Sequence, residues 1–162
     1  MKVLSIESSC DDTSAAIVDD TGYVYAVASQ NQDEIHQPYG GVIPELACRN
    51  HTLRLLPLIE KVLAKAKCPH FNSIEGIAVT SEPGLGGALL VGITTAKTLA
   101  LSLDLPFIGV NHLDGHLHAP LLRDEEYEPR EGFDYPFLGL CVSGGHTSLY
   151  EIRALGRQKV IG

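Results

Sequence analysis

The chain has 162 residues, 44% of them apolar, and a formal net charge of −8; this size suits one domain or two small ones, and the apolar content excludes global disorder. The acidic balance excludes a general nucleic-acid binder, so any RNA contact must come from a local basic face or a partner. No run of about 18 apolar residues is free of charge, since the best one, Gly87 to Leu103, carries Lys97 in its middle.

Met1-Lys2-Val3-Leu4 leads directly into a strand pattern, without a cleavable apolar segment behind a basic start. Strands are expected at Val3 to Glu7 and Thr13 to Asp19, joined by the polar turn Ser8-Ser9-Cys10-Asp11-Asp12. Thr21-Gly22 turns the chain into a third strand, Tyr23 to Ser29, completing an antiparallel meander. Beyond the Pro38 to Gly41 loop the period becomes helical: Leu46, Leu53, Leu56, Ile59, Leu63 and Ala66 mark a helix over Pro44 to Lys67. Its Arg54, Lys61 and Lys65 share one side, a solvated face or a local basic patch. Ile74 to Thr80 reads as a strand, Gly84 to Gly87 as a loop, and the next residues as a helix to Leu103. Phe107 to Val110 is a short strand, and a last helix runs from His112 towards Leu122, where Pro120 shortens or kinks it. Asp124 to Asp134 is acidic, contains Pro129, and reads as a surface connection.

The order βββαβαβα is the ribonuclease-H-like layout, an α/β lobe with helices on a mixed sheet. A shift of 134 residues aligns VLSIESSCDDTSAAIVD (residues 3–19) with FLGLCVSGGHTSLYEIR (residues 137–153), matching Leu4, Ser9, Thr13 and Ser14 with Leu138, Ser143, Thr147 and Ser148. Both segments read as strand, small polar turn, strand. The expected organisation is a first lobe over residues 1–125, an acidic connection over 126–135, and the opening hairpin of a second, similar lobe over 136–162, truncated before its helices. The four cysteines, Cys10, Cys48, Cys68 and Cys141, form no C-x-x-C pair. Free thiols in a chain without a targeting signal predict a soluble, cytoplasmic protein with no membrane association.

Three segments carry candidate chemistry. In Val142-Ser143-Gly144-Gly145-His146-Thr147 the paired glycines can expose backbone N–H groups as an anion nest, with hydroxyls from Ser143 and Thr147. The same residues also suit an ordinary hairpin. In the paired turn, Ser9 is a candidate binding group; Asp11 and Asp12 can hold magnesium, position a nucleophile, or serve as turn formers. Asp11, Asp12 and His146 are the candidate catalytic residues. His112 and His116 lie one helical turn apart, a spacing that suits two ligands of one zinc or iron ion, although chance histidines are equally compatible. His118 falls about 200° from His116 around the helix. Ser81 to Gly87 looks like a phosphate loop without the Walker lysine; Gly86, Gly87, Ala88 and Gly92 favour close helix packing instead.

Five ordered motifs carry a family resemblance: Glu7-Ser8-Ser9-Cys10-Asp11-Asp12-Thr13, residues 39–47 (YGGVIPELA), Pro83-Gly84-Leu85, His112-x-x-Gly115-His116-x-x-Ala119-Pro120, and residues 142–147 (VSGGHT). Together they resemble the N-terminal half of the tRNA threonylcarbamoyladenosine transferases, the TsaD or glycoprotease-like family. The resemblance implies an actin-like ATPase fold and transfer of a threonylcarbamoyl group from threonylcarbamoyl-adenylate to the adenosine 3′ of the anticodon in tRNA. It implies a divalent metal, iron or zinc, on His112 and His116 with an aspartate from the C-terminal half. It implies that Cys141, Val142, Ser143, Gly144 and Gly145 contact the adenylate, and it leaves ATP with magnesium open as a further ligand. The implied partners are tRNA, an adenylate-forming synthase in the same pathway, and a paralogous subunit docking on helices 44–67 and 87–103. Glu82 stands where the family usually has glycine before Pro-Gly-Leu. The 162-residue chain is expected to be inactive alone. A metalloprotease, a kinase of the same fold class and a non-catalytic scaffold are the rival readings.

Overall fold

The computed structural model describes residues 1–143 and 147–162. The chain forms two compact units, Met1–His112 and Leu113–Gly162. In the first, β1 (Lys2–Glu7), β2 (Thr13–Asp19) and β3 (Val24–Gln30) make the expected meander, followed by α1 (Asp33–His36), α2 (Pro44–Lys65), β4 (Gly76–Glu82), α3 (Gly86–Leu103) and β5 (Phe107–Asn111). α4 (His112–His118) then begins at the unit's edge. α1, which had no forecast, is a single turn too short to set up a period.

The sheet order is β3-β2-β1-β4-β5. β1 pairs antiparallel with β2 and parallel with β4, which pairs parallel with β5. Alternation along the strands sends every second side chain to one face. Register then aligns two apolar rows across the sheet: Ala28, Ala15, Ile6 and Val79 in one, Ala26, Ile17, Leu4 and Ile77 in the other. α2 covers these rows with Leu55, Leu58, Ile59, Val62 and Leu63, and α3 with Ala96 and Ala100, in one continuous core. Burying each large aliphatic side chain contributes about 1.5–3 kcal/mol. Pro57, inside α2, lacks the N–H that would bond back to Leu53, whose side chain is exposed.

Small residues on α3 allow the close packing expected of them. Gly87 faces Cys48 of α2, whose thiol donates to the Gly87 carbonyl, and Ala88 is fully buried. A Cβ on Gly92 would collide with the Ser8 hydroxyl, which donates to the Ala88 carbonyl at 2.9 Å. Of the three basic residues proposed to share a face of α2, Arg54 is committed to the Asn31 carbonyl at 2.6 Å, and Lys61 and Lys65 are exposed.

The second unit contains α4 from Leu113 onward, a 3-10 turn at Ala119–Leu121, and the antiparallel sheet β6 (Phe137–Val142), β7 (Thr147–Ala154) and β8 (Arg157–Val160). Pro120 lies in the 3-10 turn and coincides with the end of the α-helix. The sheet of the second unit is therefore a three-stranded meander, one strand more than the hairpin expected; β8 is too polar to show an apolar run. Shifted by 134 residues, the β1–β2 register reproduces that of β6–β7: Leu4 opposite Ile17 becomes Leu138 opposite Glu151. One face of this sheet packs Phe137, Cys141, Tyr150 and Ile152 with Leu117 of α4. The other leaves Leu138, Leu140 and Val142 exposed.

His51 ties α2 to the β1–β2 turn. It is fully buried, with Nδ1 2.8 Å from the Thr13 hydroxyl and Nε2 donating to the Cys10 carbonyl at 3.0 Å. His51→Ala leaves both partners unsatisfied and opens a cavity, so it should cost about 2–4 kcal/mol, measured by urea unfolding of the chain.

Candidate active site

β1, β4 and β5 are parallel, and their carboxyl ends lie side by side, the position at which open α/β sheets place their ligands. β1 ends in Glu7, β4 passes through Thr80, and β5 ends at Asn111 immediately before His112. These ends are joined through the Glu7 carboxylate. Its Oε1 accepts the Ser9 backbone N–H at 2.5 Å, and its Oε2 accepts the Thr80 hydroxyl at 2.5 Å. The same Oε2 lies 3.0 Å from His112 Nδ1, which is also 3.1 Å from the Ser9 hydroxyl. Burial pushes the Glu7 carboxyl up, but the bonds from Thr80, Ser9 and His112 outweigh it and hold the group below its ordinary value.

The turn between β1 and β2 is pinned from three sides. Ser8 and Ser9 are buried. Leu85 N–H donates to the Ser9 carbonyl at 2.7 Å, and Gly84 approaches so closely that a Cβ would clash with that carbonyl and lie 2.8 Å from Ser9 Cβ. The Pro83-Gly84-Leu85 motif is thus a brace for the Ser9 turn. Glu82 is exposed at the end of β4 and leaves the brace in place. His51 supplies the third support.

Beyond these anchors, the turn presents Cys10, Asp11 and Asp12. Burial, then Asp11 and Asp33, push the Asp12 carboxyl above its ordinary value, opposed by His51. A raised value in the fold means that ionised Asp12 opposes folding above that value, and that the burden vanishes below the unfolded value. Burial and the Asp11 carboxylate push the Cys10 thiol up to about 11, which keeps it from acting as a thiolate near neutral pH.

His112 and His116 are the first and fifth residues of α4, one helical turn apart. His118 Nδ1 lies 2.8 Å from the Asp114 carbonyl of the preceding turn. Among the described residues, no three His, Cys, Asp or Glu side chains gather into a metal cluster. In the second unit Cys141 and Val142 end β6 opposite Ser148 and Thr147, with Val142 exposed. Ser143 follows β6, whereas Gly144, Gly145 and His146 lie outside the described residues. The structure thus gathers Ser9 and His112 around two residues the sequence reading did not single out, Glu7 and Thr80. The signal for Glu7 was available: a carboxylate closing an apolar strand. Thr80 carries no such mark, because threonine is at home in any strand.

A five-stranded mixed sheet with a leading meander, covered by α2 and α3 and carrying its polar groups at the strand ends, defines the actin-like ATPase class of α/β fold. YeaZ from Pseudomonas aeruginosa has this fold with a TM-score of 0.59 at 20% identity, over 99% of this chain and 64% of that one. The family model for tRNA N6-adenosine threonylcarbamoyltransferase, TsaD, matches residues 23–162, and the chain belongs to that family. It is 56% identical over 161 residues to the Bdellovibrio bacteriovorus tRNA N6-adenosine threonylcarbamoyltransferase, covering 99% of this chain and 46% of the relative. The enzyme of the same name from Geotalea daltonii is 48% identical over the whole chain, with 45% of its length covered. The chain therefore spans about half the length of the curated relatives it matches.

Two outcomes test the turn. Cys10 should react with iodoacetamide at about pH 8 at least roughly tenfold more slowly than free cysteine, read by mass spectrometry of the labelled peptide. Asp12→Asn should raise stability at neutral pH by about 0.5 kcal/mol or less, and the gain should disappear below the ordinary carboxylate value of 3.8, followed by thermal melts across pH.

Proposed function

We propose that this chain supplies one wall of a threonylcarbamoyl transfer site acting on the adenosine 3′ of the anticodon in tRNA. The observation that carries the reading is the convergence of Ser9, Glu7, Thr80 and His112 at the carboxyl ends of the parallel strands, in a chain of this family. In the proposed reaction the exocyclic amine of the adenosine attacks the carbamoyl carbon of threonylcarbamoyl-adenylate. A new C–N bond forms, the bond to the adenylate phosphate oxygen breaks, AMP leaves, and the amine gives up a proton. Asp11 and Asp12 are the proposed catalytic carboxylates, with His146 as a third group. Cys141, Val142, Ser143, Gly144, Gly145 and Thr147, together with Ser9, are proposed to contact the adenylate.

The donor set suits a divalent ion, zinc or iron, on His112 and His116, because a histidine ligand commonly directs its second ring nitrogen to a carboxylate, and His112 Nδ1 lies 3.0 Å from Glu7. Such an ion polarises a carbonyl and offsets negative charge in the transition state. The remaining ligand and the rest of the adenosine pocket are assigned to the additional length that the relatives possess. The paralogous subunit is assigned to α2 and α3, which expose Leu53, Leu56, Leu90 and Leu101. The adenylate-forming synthase supplies the donor. A location with tRNA, in the cytoplasm, fits four free thiols.

The test is incorporation of labelled threonine into tRNA with ATP, bicarbonate, the synthase and the partner subunits. The chain alone should be inactive. A chimera carrying this chain in place of the corresponding part of the Bdellovibrio relative should be active, and His112→Ala in the chimera should lower incorporation by about 100-fold or more. A folded chimera that is inactive while the relative works would sink the transfer reading and bring the kinase reading forward.

A further inference from the structure

We propose that Glu7 is a positioning residue for His112: its carboxylate holds the imidazole in the tautomer with hydrogen on Nδ1, which makes Nε2 the nitrogen with the metal-binding lone pair. This role rests on the reading of His112 as a ligand. A carboxylate oxygen accepts and does not donate. Glu7 is fixed at both oxygens, by the Ser9 N–H at one and the Thr80 hydroxyl at the other, each at 2.5 Å. Its Oε2 can therefore neither turn away from His112 Nδ1, 3.0 Å distant, nor face a second lone pair there without repulsion. Nδ1 must carry the hydrogen. The Ser9 oxygen, 3.1 Å from the same nitrogen, shares that N–H as acceptor. The Glu7 and His112 side chains are 31% and 29% exposed, so water screens the contact less than it would a surface pair.

The positions of the partners separate this role from a merely structural one. Glu7 closes β1, Thr80 belongs to β4, and His112 follows β5. A single carboxylate thus sets the ring against the strand ends rather than against its own helix. Glutamine keeps the volume and can still accept from Ser9, but its amide can offer a donor to Nδ1. Glu7→Gln therefore permits the opposite tautomer, with hydrogen on Nε2 and the lone pair turned inward.

Long-range 15N–1H correlation spectra of the histidine-labelled chain at about pH 8 report the tautomer directly, with His112 assigned by its loss in His112→Ala. The expected result is Nδ1–H for His112 in the unaltered chain, loss of that preference in Glu7→Gln, and zinc affinity in Glu7→Gln lowered by about tenfold. Finding His112 as the Nε2–H tautomer in the unaltered chain overturns the proposal, as does a Glu7→Gln chain with both tautomer and zinc affinity unchanged. If Glu7→Gln fails to fold, the spectrum of the unaltered chain still decides. If His112→Ala binds zinc as tightly as the unaltered chain, His112 is removed from the metal reading, a failure distinct from that of the tautomer.

Discussion

Everything in the first unit depends on β1 being paired on both sides. Its antiparallel pairing with β2 and parallel pairing with β4 fix which side chains lie in which row. Leu4 and Ile6 then face the helices, while Glu7, one residue on, reaches the strand ends. A slip of one residue would exchange the two faces, sending Leu4 and Ile6 away from the helices and Glu7 towards them. Core and candidate site are thus consequences of the same register.

The polar groups at the strand ends are supported by that core at several depths. Ser8 bonds to the backbone of α3, His51 reaches from α2 to the turn, and Gly84 lets the β4–α3 loop lie against Ser9. The result is a turn whose first residues are immobilised and whose acidic tip, Cys10 to Asp12, is offered outward. Burial, and then the like charges around that tip, raise the Asp12 carboxyl, a cost that suits a place where a cation or a substrate donor would relieve it.

The second unit repeats the opening of the first with the same register, but not the same cover. Leu4 and Ile6 are buried under helices; their counterparts Leu138 and Leu140 are exposed. The repeated sequence specifies the sheet, because alternation and turn chemistry are local. Burial of its outward face is a property of neighbouring elements, and none of the strands in β6–β8 encodes it.

By itself, the sequence determined the elements and their faces: the meander, the helix from Pro44, the small-residue stripe of α3, the one-turn spacing of His112 and His116, and five ordered motifs sufficient to mark the family. These are legible because strand alternation, helical period and turn chemistry act over a few residues. Tertiary structure alone decided that Glu7, Thr80 and His112 meet, and that His51 belongs to the turn between β1 and β2. Glu7 and His112 are separated by 105 positions and Thr13 and His51 by 38. No local pattern reports such a distance. The meetings follow from parallel pairing, which brings strand ends together across long crossovers, and from the packing of α2 over the sheet.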